Sequence, residues 1–295
     1  MKITLRGTRG SIPVPGAESY IYGGNTTCIE VVAQSGERVI IDAGSGIRPL
    51  GNQMVNQEGP SHCHIFLTHT HWDHIQGLPF FVPLFIPGFT IDLFGPVDPV
   101  YNNSLRHVLS RQMEYCYFPV LESELKAKIR YTDLQDGVSY QIGSLTVQPI
   151  LTNHPVVNFG YLITEGERRF FFTGDHEPPQ NLYQRGEEGY EEYQRLIDER
   201  LALLDGPMQG VDLVVADSMF TREEYFSKRM GWGHSYYDWW IERVERLNIE
   251  LIMLTHHDPE RTDRALDAIF SELQESYPHL IGRFAIATEG MVFEL

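Results

Sequence analysis

Residues 64–78 read HIFLTHTHWDHIQGL. An apolar run gives way to His69, His71, Asp73 and His74 within six positions. A pattern of this kind arises by chance in a chain of this length with a probability on the order of one in a thousand. His69 and His71, two apart, can share a face where a strand ends, while Asp73 and His74 follow in a turn. Two groups of ligands can therefore diverge toward two metal positions. The competing reading is a polar turn whose histidines are solvated.

A metal site needs further ligands, each best held at the end of a strand. His154 follows the apolar segment 145–151, Asp175 follows FFFTGD, and His256 follows LIMLTH. Each alone would pass for a cap or a solvated turn residue. Other strand candidates are 2–6, 28–33, 38–42 (running into VIIDAGSG), 65–68, 91–94, 160–164, 169–173, 213–216 and 251–255. Helical spacing is clearest over 188–204, with Tyr190, Tyr193, Leu196, Ile197, Leu201 and Leu204 on one stripe, and over 261–274; both stripes are expected to lie on a sheet. Strands in both halves with helices between them suggest two packed sheets covered by helices, in one domain spanning 1–295. The acidic stretch at about 177–210 interrupts the strand rhythm and reads as an inserted helix or lid.

The chain has 295 residues, 42% of them hydrophobic, and no apolar run long enough to span a membrane. Its start, MKITLRGTRG, lacks a signal peptide's apolar core. Three cysteines, Cys28, Cys63 and Cys116, without close spacing argue against a disulfide framework, so a cytoplasmic location is expected. A formal charge of −17 and the lack of a basic run disfavour long nucleic acid as a partner. A small anionic substrate stays compatible, because two divalent cations would reverse the local field.

Taken together, VIIDAG with Asp42, THTHWDH, the isolated His154, TGD with Asp175 and LTHHD with His256 resemble the metallo-β-lactamase superfamily over nearly the whole chain. The resemblance implies an α/β fold, a four-layer αββα sandwich, with a dinuclear metal site at one edge of the sheets. It implies that His69, His71 and His154 hold one metal, that Asp73, His74 and His256 hold the other, and that Asp175 bridges them. Asp42 then orients the ligand loop without binding metal. His257 receives no role. Flavodiiron oxygen reductases place a glutamate where this chain has His71, which points to zinc-type hydrolysis; β-lactamases proper generally lack the bridging aspartate. Zn2+ is the first expectation for the two cations, with Mn2+ and Fe2+ as alternatives.

The segment GWGHSYYDWW, 231–240, sharpens the chemistry. Ser235 and Asp238 have capping-box spacing, which would put His234 beside the exposed amides of a helix start. GHS lying 22 residues before His256 resembles the tRNase Z-like phosphodiesterase branch, where such a histidine assists at the scissile phosphate; VVADSMF offers Asp217 where that branch carries a supporting glutamate. His154 and Asp175 stand 21 positions apart, too close to house the flexible arm that grips tRNA. GTRGSIPVPG, YGGNTTC and DSMFTREEY look more like the cyclic-nucleotide-phosphodiesterase-like hydrolases.

The expected activity is hydrolysis of a small phosphodiester such as a cyclic nucleotide by water activated between two cations, with Asp73, His234 and Asp217 in catalytic roles. A thioester or lactone hydrolase on the same centre and a non-catalytic di-iron sensor are the alternatives. Arg9, Arg48, Arg106 and Arg222 are candidate phosphate clamps, each more simply solvated. Trp239, Trp240 and Tyr225 are candidates to stack on a base, although helical spacing makes at least one tryptophan core. The apolar run 78–89 reads as core packing, with a substrate wall or homodimer contact as the other readings.

Overall fold

The computed structural model describes residues 1–56 and 61–295. The first sheet has the order β14-β1-β2-β3-β4-β5-β6 and the second β13-β12-β11-β10-β9-β8-β7. The first comprises β1 (Lys2–Gly7), β2 (Cys28–Val32), β3 (Arg38–Ile41), β4 (His62–Phe66), β5 (Thr90–Gly95), β6 (Lys128–Asp133) and, from the end of the chain, β14 (Val292–Glu294). The second comprises β7 (Tyr140–Ile142), β8 (Leu145–Leu151), β9 (Phe159–Glu165), β10 (Arg168–Phe172), β11 (Leu213–Asp217), β12 (Leu251–Thr255) and β13 (Phe284–Ile286). Strands β3 to β6 run parallel, as do β10 to β13, while β1 to β3 and β7 to β10 pair antiparallel.

Side-chain alternation explains the layering, since successive residues of a strand face opposite sides of its sheet. Phe170, Phe172, Leu213 and Val215 turn inward and meet Ile3, Val31, Ile41 and Phe66 of the other sheet. Phe171, Val214 and Ala216 turn outward under helices. In the first sheet Ile40, Cys63 and Ile65 likewise face outward. Both faces of the central strands are thus buried, which is why they read as near-continuous apolar runs.

The helices are α1 (Ile47–Asn56), α2 (Trp72–Ile75), α3 (Leu105–Gln112), α4 (Tyr190–Met208), α5 (Arg222–Glu224), α6 (Tyr237–Ile241), α7 (Arg243–Arg246) and α8 (Asp263–Ser276). Helix α1 buries Ile47, Leu50, Gly51 and Met54, and α8 buries Leu266, Ile269 and Leu273, the spacings of one apolar face. Thr262 caps α8 by accepting the Ala265 N–H. Helix α4 differs from its expected stripe: Ile197, Leu204 and Met208 are buried, but Leu196 turns out of the core. The outcome is the expected α/β four-layer αββα sandwich. Leu78, Phe81, Leu84 and Phe89 of the apolar run join the core outside the first sheet, as core packing requires. Among the described residues no helix is long and apolar enough to cross a membrane.

Strands β3, β4, β10, β11 and β12 all end at one edge of the sandwich; β8 ends there too, because β8 and β10 both pair antiparallel with β9. Asp42, His69, His154, Asp175, Asp217 and His256 follow or close these strands, so shared strand direction and the packing of the two sheets gather them.

Candidate metal centre

Asp175 organises the site by facing two ways. Its Oδ2 lies 3.6 Å from His69 Nε2 and 3.9 Å from His154 Nε2, and its Oδ1 lies 3.3 Å from both His74 Nε2 and His256 Nε2. His71 completes the first group, with Nδ1 3.2 Å from His154 Nε2. Asp73 completes the second, its Oδ2 standing 3.4 Å from His74 Nε2 and 3.2 Å from His256 Nε2. In each group, His69, His71, His154 and Asp175 or Asp73, His74, Asp175 and His256, one ligand atom per residue falls within 4.8 Å of all the others. Tetrahedral zinc with bonds of roughly 2.0–2.2 Å puts ligand atoms about 3.3–3.6 Å apart, close to most of these separations.

The orientation of the rings supports cation binding independently of distance. His74 Nδ1 is 2.7 Å from Asp42 Oδ2, and Asp42 also accepts the Thr68 N–H at 2.8 Å. With its proton on Nδ1, His74 aims the Nε2 lone pair at two carboxylates, an arrangement that calls for a proton or a cation between them. His154 Nδ1 meets the Gly233 carbonyl at 2.8 Å, which likewise leaves Nε2 for the centre. His69 Nε2, His74 Nε2 and Asp175 Oδ1 are buried without a hydrogen-bond partner. Buried polar atoms of this kind are otherwise paired, so their convergence fits the chain to two divalent cations.

Backbone geometry shows how tightly this edge is specified. Asp42 and His256 both hold φ of 61°, a left-handed conformation that non-glycine residues adopt only when the surroundings fix them. Gly174, before the bridging aspartate, has φ of 58°, and a Cβ there would come within 2.7 Å of the Asn158 side chain. Gly233 has φ of 89°, and its Cβ would meet the His154 ring at 2.8 Å, so only glycine lets the 231–234 loop approach that histidine. Ser11, in the GTRGS loop, donates its N–H to Asp73 Oδ2 at 2.7 Å.

Electrostatics follow from burial and the crowd of carboxylates. Burial pushes His69 down and His154 down to about 4. Burial also opposes charge on His74, but Asp175, Asp73 and Asp42 outweigh it and raise that ring well above its ordinary value. Asp73, although desolvated, is held well below the carboxylate range by His74 and His256.

His234 and Asp217 stand beside this centre. His234 Nδ1 is 3.0 Å from Asp217 Oδ2 and 3.8 Å from Asp175 Oδ2, with its ring stacked on His256 at 4.8 Å. Desolvation disfavours the charged ring, but Asp217 and then Asp175 and Asp73 push it up to about 9. Asp217 also accepts the His176 N–H at 3.0 Å, and its Oδ1 lies 3.7 Å from His256 Nδ1, beyond hydrogen-bond distance.

Several sequence expectations are corrected here. No capping box forms at Ser235: α6 starts at Tyr237 with no side-chain cap, and the Ser235 hydroxyl donates to the His176 carbonyl at 2.5 Å. The helix has only five residues, so His234 is placed by Asp217 and not by a helix start. Trp239, Trp240 and Tyr225 are all buried, Trp240 donating to the Asp217 carbonyl at 2.7 Å and Tyr225 to Glu177 Oε1 at 2.9 Å, which removes them as stacking surfaces. Arg9 donates to the carbonyls of Gly23 and Arg261, Arg106 pairs with Glu122, and Arg222 pairs with Asp238 and Glu242. Arg48 is exposed on α1, and no contact places it at the centre.

Glu177 escaped the sequence reading. Its Oε1 accepts from Gly231 N at 2.5 Å and its Oε2 from Gly233 N at 2.7 Å, so a buried carboxylate clamps the loop that carries His234 and the His154 acceptor. The signal available was the pair of glycines in GWG, which mark a strained turn in need of an acceptor. His257 lies buried with Nε2 2.8 Å from the Ala287 carbonyl, a structural role.

Comparison with known proteins agrees with this architecture. A family model described as a β-lactamase superfamily domain matches residues 37–257. Ribonuclease Z of Lachnoclostridium phytofermentans is 24% identical over 311 aligned positions, covering 95% of this chain and 94% of the relative. Ribonuclease Z of Archaeoglobus fulgidus is 28% identical over 200 positions, covering 62% and 56%. Among solved structures, the short form of human tRNase Z superposes with a TM-score of 0.63 at 18% identity, covering 100% of this chain and 99% of that one. Yeast PDE1 does so with a TM-score of 0.64 at 18% identity, covering 100% and 99%. With the family match spanning most of the sandwich and the metal-suited His/Asp clusters at its edge, the chain belongs to the metallo-β-lactamase superfamily of metal-dependent hydrolases.

Proposed function

We propose that this chain is a phosphodiesterase acting on a small phosphodiester, the class that includes cyclic nucleotides. The observation that carries the reading is the His234–Asp217 pair, set 3.0 Å apart and within 3.8 Å of Asp175. A hydrolase of esters or thioesters needs no such pair, because its metals alone can polarise a carbonyl. Relatives named ribonuclease Z cleave a phosphodiester substrate, RNA, which supports the bond type; the formal charge of −17 speaks against a polynucleotide here.

In this reading His69, His71, His154 and Asp175 would hold one cation and Asp73, His74, Asp175 and His256 the other, with Zn2+ suited to so many imidazoles and Mn2+ or Fe2+ compatible. When bound, the two cations supply Lewis acidity toward the phosphoryl oxygens and bring the pKa of water toward neutrality. Asp73, held by the Ser11 N–H, would orient the attacking water. Asp217 takes the Nδ1 proton of His234 as a hydrogen bond and favours the imidazolium, whose Nε2–H is then delivered to the leaving oxygen. Asp217 is the positioning partner in that step.

His234→Ala is expected to retain both metal equivalents, measured by elemental analysis, and to lose about 10²–10⁴-fold in turnover of bis(p-nitrophenyl) phosphate. Equal turnover in that variant would sink the assignment.

A further inference from the structure

A cavity of about 850 Å³ opens beside the metal centre, meeting it at Thr70 and His154. That volume lies within the range of sites that engulf an organic ligand, roughly 300–1,000 Å³. Its walls include Val97, Val100 and Val156 from two loops and Leu196 and Leu203 from α4. Leu196 is 54% exposed, Leu203 69% and Val100 77%. Leu196 and Leu203 lie seven apart, on one face of α4, and that face is turned away from the core formed by Ile197, Leu204 and Met208. Apolar side chains gathered on a concave surface next to a catalytic centre mark a binding wall more than stray exposure.

Polar groups are the minority of the cavity wall, and several of them are engaged. The Asp98 carboxylate accepts from Val100 N, Tyr101 N and Asn103 Nδ2 at 2.9, 3.3 and 3.1 Å. Glu199 and Arg200 line the cavity too, from the same exposed face of α4 as Leu196 and Leu203, and bring one charge of each sign to its rim. His176 is different: it is 2% exposed, lines the cavity, and its Nε2 has no hydrogen-bond partner. Its Nδ1 accepts the Asn153 N–H at 3.2 Å, so the ring proton sits on Nε2. The ring is held in place by Trp239 and Trp240, at centroid distances of 5.0 and 5.4 Å. The result is a fixed N–H donor, buried and unmatched, in a cavity with mostly apolar walls. A donor left so costs free energy until an acceptor reaches it.

We infer that this cavity receives one esterifying group of the substrate, and that the group is bulky, uncharged and mainly apolar, with a hydrogen-bond acceptor that meets His176 Nε2. The inference rests on the phosphodiesterase reading for the reaction but names the arm of the substrate on its own observations. A nucleoside fits the enclosure less well: its base presents several donors and acceptors, and among the described walls His176 Nε2 is the buried side-chain nitrogen or oxygen that lacks a partner.

Calorimetric titration of the metal-loaded protein with methyl phosphate, hexyl phosphate, 5-oxohexyl phosphate and thymidine 5′-monophosphate tests this. Hexyl phosphate should bind at least about tenfold more tightly than methyl phosphate, since each buried methylene contributes severalfold. The ketone of 5-oxohexyl phosphate should gain a further factor of about three to ten. In Leu196→Asp and Leu203→Asp, whose parent side chains are exposed so that the fold should tolerate the change, hexyl and methyl phosphate should bind alike. In His176→Asn, where the side-chain oxygen can still accept the Asn153 N–H, the ketone should lose its advantage while the hexyl chain keeps its own. Equal affinity for methyl and hexyl phosphate overturns the assignment of the cavity, as does tightest binding of thymidine monophosphate that Leu196→Asp leaves untouched. Equal affinity for hexyl and 5-oxohexyl phosphate overturns the role of His176. Turnover of bis(p-nitrophenyl) phosphate by the same preparations reports on the reaction separately: its absence alongside intact chain-length dependence refutes the phosphodiesterase reading and leaves the cavity assigned.

Discussion

At His74 the ring is fixed from behind and open in front. Asp42 takes the Nδ1 proton at 2.7 Å, and the buried Nε2 faces Asp73 and Asp175. Asp42→Asn keeps nearly the same shape and tolerates the left-handed backbone at φ of 61°, while removing the charge and turning one of the two accepting oxygens into a donor. It should weaken metal affinity roughly 10–100-fold, measured by competition with a chromophoric chelator, with far-ultraviolet circular dichroism unchanged. Unaltered affinity would mean that Asp42 serves the loop alone. Residues of this sort were legible because histidine and aspartate at the ends of apolar runs are scarce and chemically pointed. His176 and Glu177 were not: each does its work through partners that only the fold supplies, Glu177 reaching Gly231 and Gly233 from 54 and 56 positions away. In the sequence Glu177 is simply the start of an acidic stretch. Ser235 misled for a related reason, since capping spacing describes a local option and a carbonyl 59 positions away offered a better one.

At the scale of elements, the strands that went unread are informative. β6, β7, β13 and β14 are the four sheet edges. Edge strands are short or carry charge, which guards them against pairing with other chains but erases the apolar run that marks a central strand. β6, KIRYTD, shows both charge and an alternating half-exposed face; β7, β13 and β14 have three residues each. The 231–234 loop poses the complementary question of what holds an irregular segment at a working site. Glu177 supplies the answer through two backbone amides, and the Gly233 carbonyl in turn orients His154. In Glu177→Gln one carboxylate oxygen becomes an amide NH2 that faces a backbone N–H, donor against donor, at a cost of about 1–3 kcal/mol. The loop should loosen, so kcat should fall about tenfold while affinity weakens at one metal site, the one built on His154, and holds at the other. A titration in which both sites weaken equally, or a loss in KM alone, would place Glu177 outside this clamp.

Across the whole molecule, the centre joins two sheets that otherwise meet through apolar contact. His69, His71, Asp73 and His74 come from the edge of the first sheet, and His154, Asp175 and His256 from the second. Each cation would therefore bridge the layers, and Asp175 would belong to both bridges. Without cations the same edge crowds ionised carboxylates and imidazole lone pairs in a region closed to water, and His69 Nε2, His74 Nε2 and Asp175 Oδ1 have no partner. Binding confined to the folded state adds RT ln(1 + [L]/Kd), about 2.7 kcal/mol per site at a hundredfold excess over Kd. Two sites contribute about twice that, and for a chain of this size the melting temperature should fall by something on the order of 10 °C on removal of the metal. Differential scanning calorimetry before and after chelation, with Zn2+ added back, measures the difference. The staple also predicts where loosening occurs: hydrogen exchange should rise at the 68–76 and 231–235 loops and at the strand ends around Asp175 and His256, while the inter-sheet core around Phe66, Phe170 and Val215 stays protected. Uniform loosening of that core, or none at the edge, would show that the apolar interface and not the centre sets the register of the two sheets.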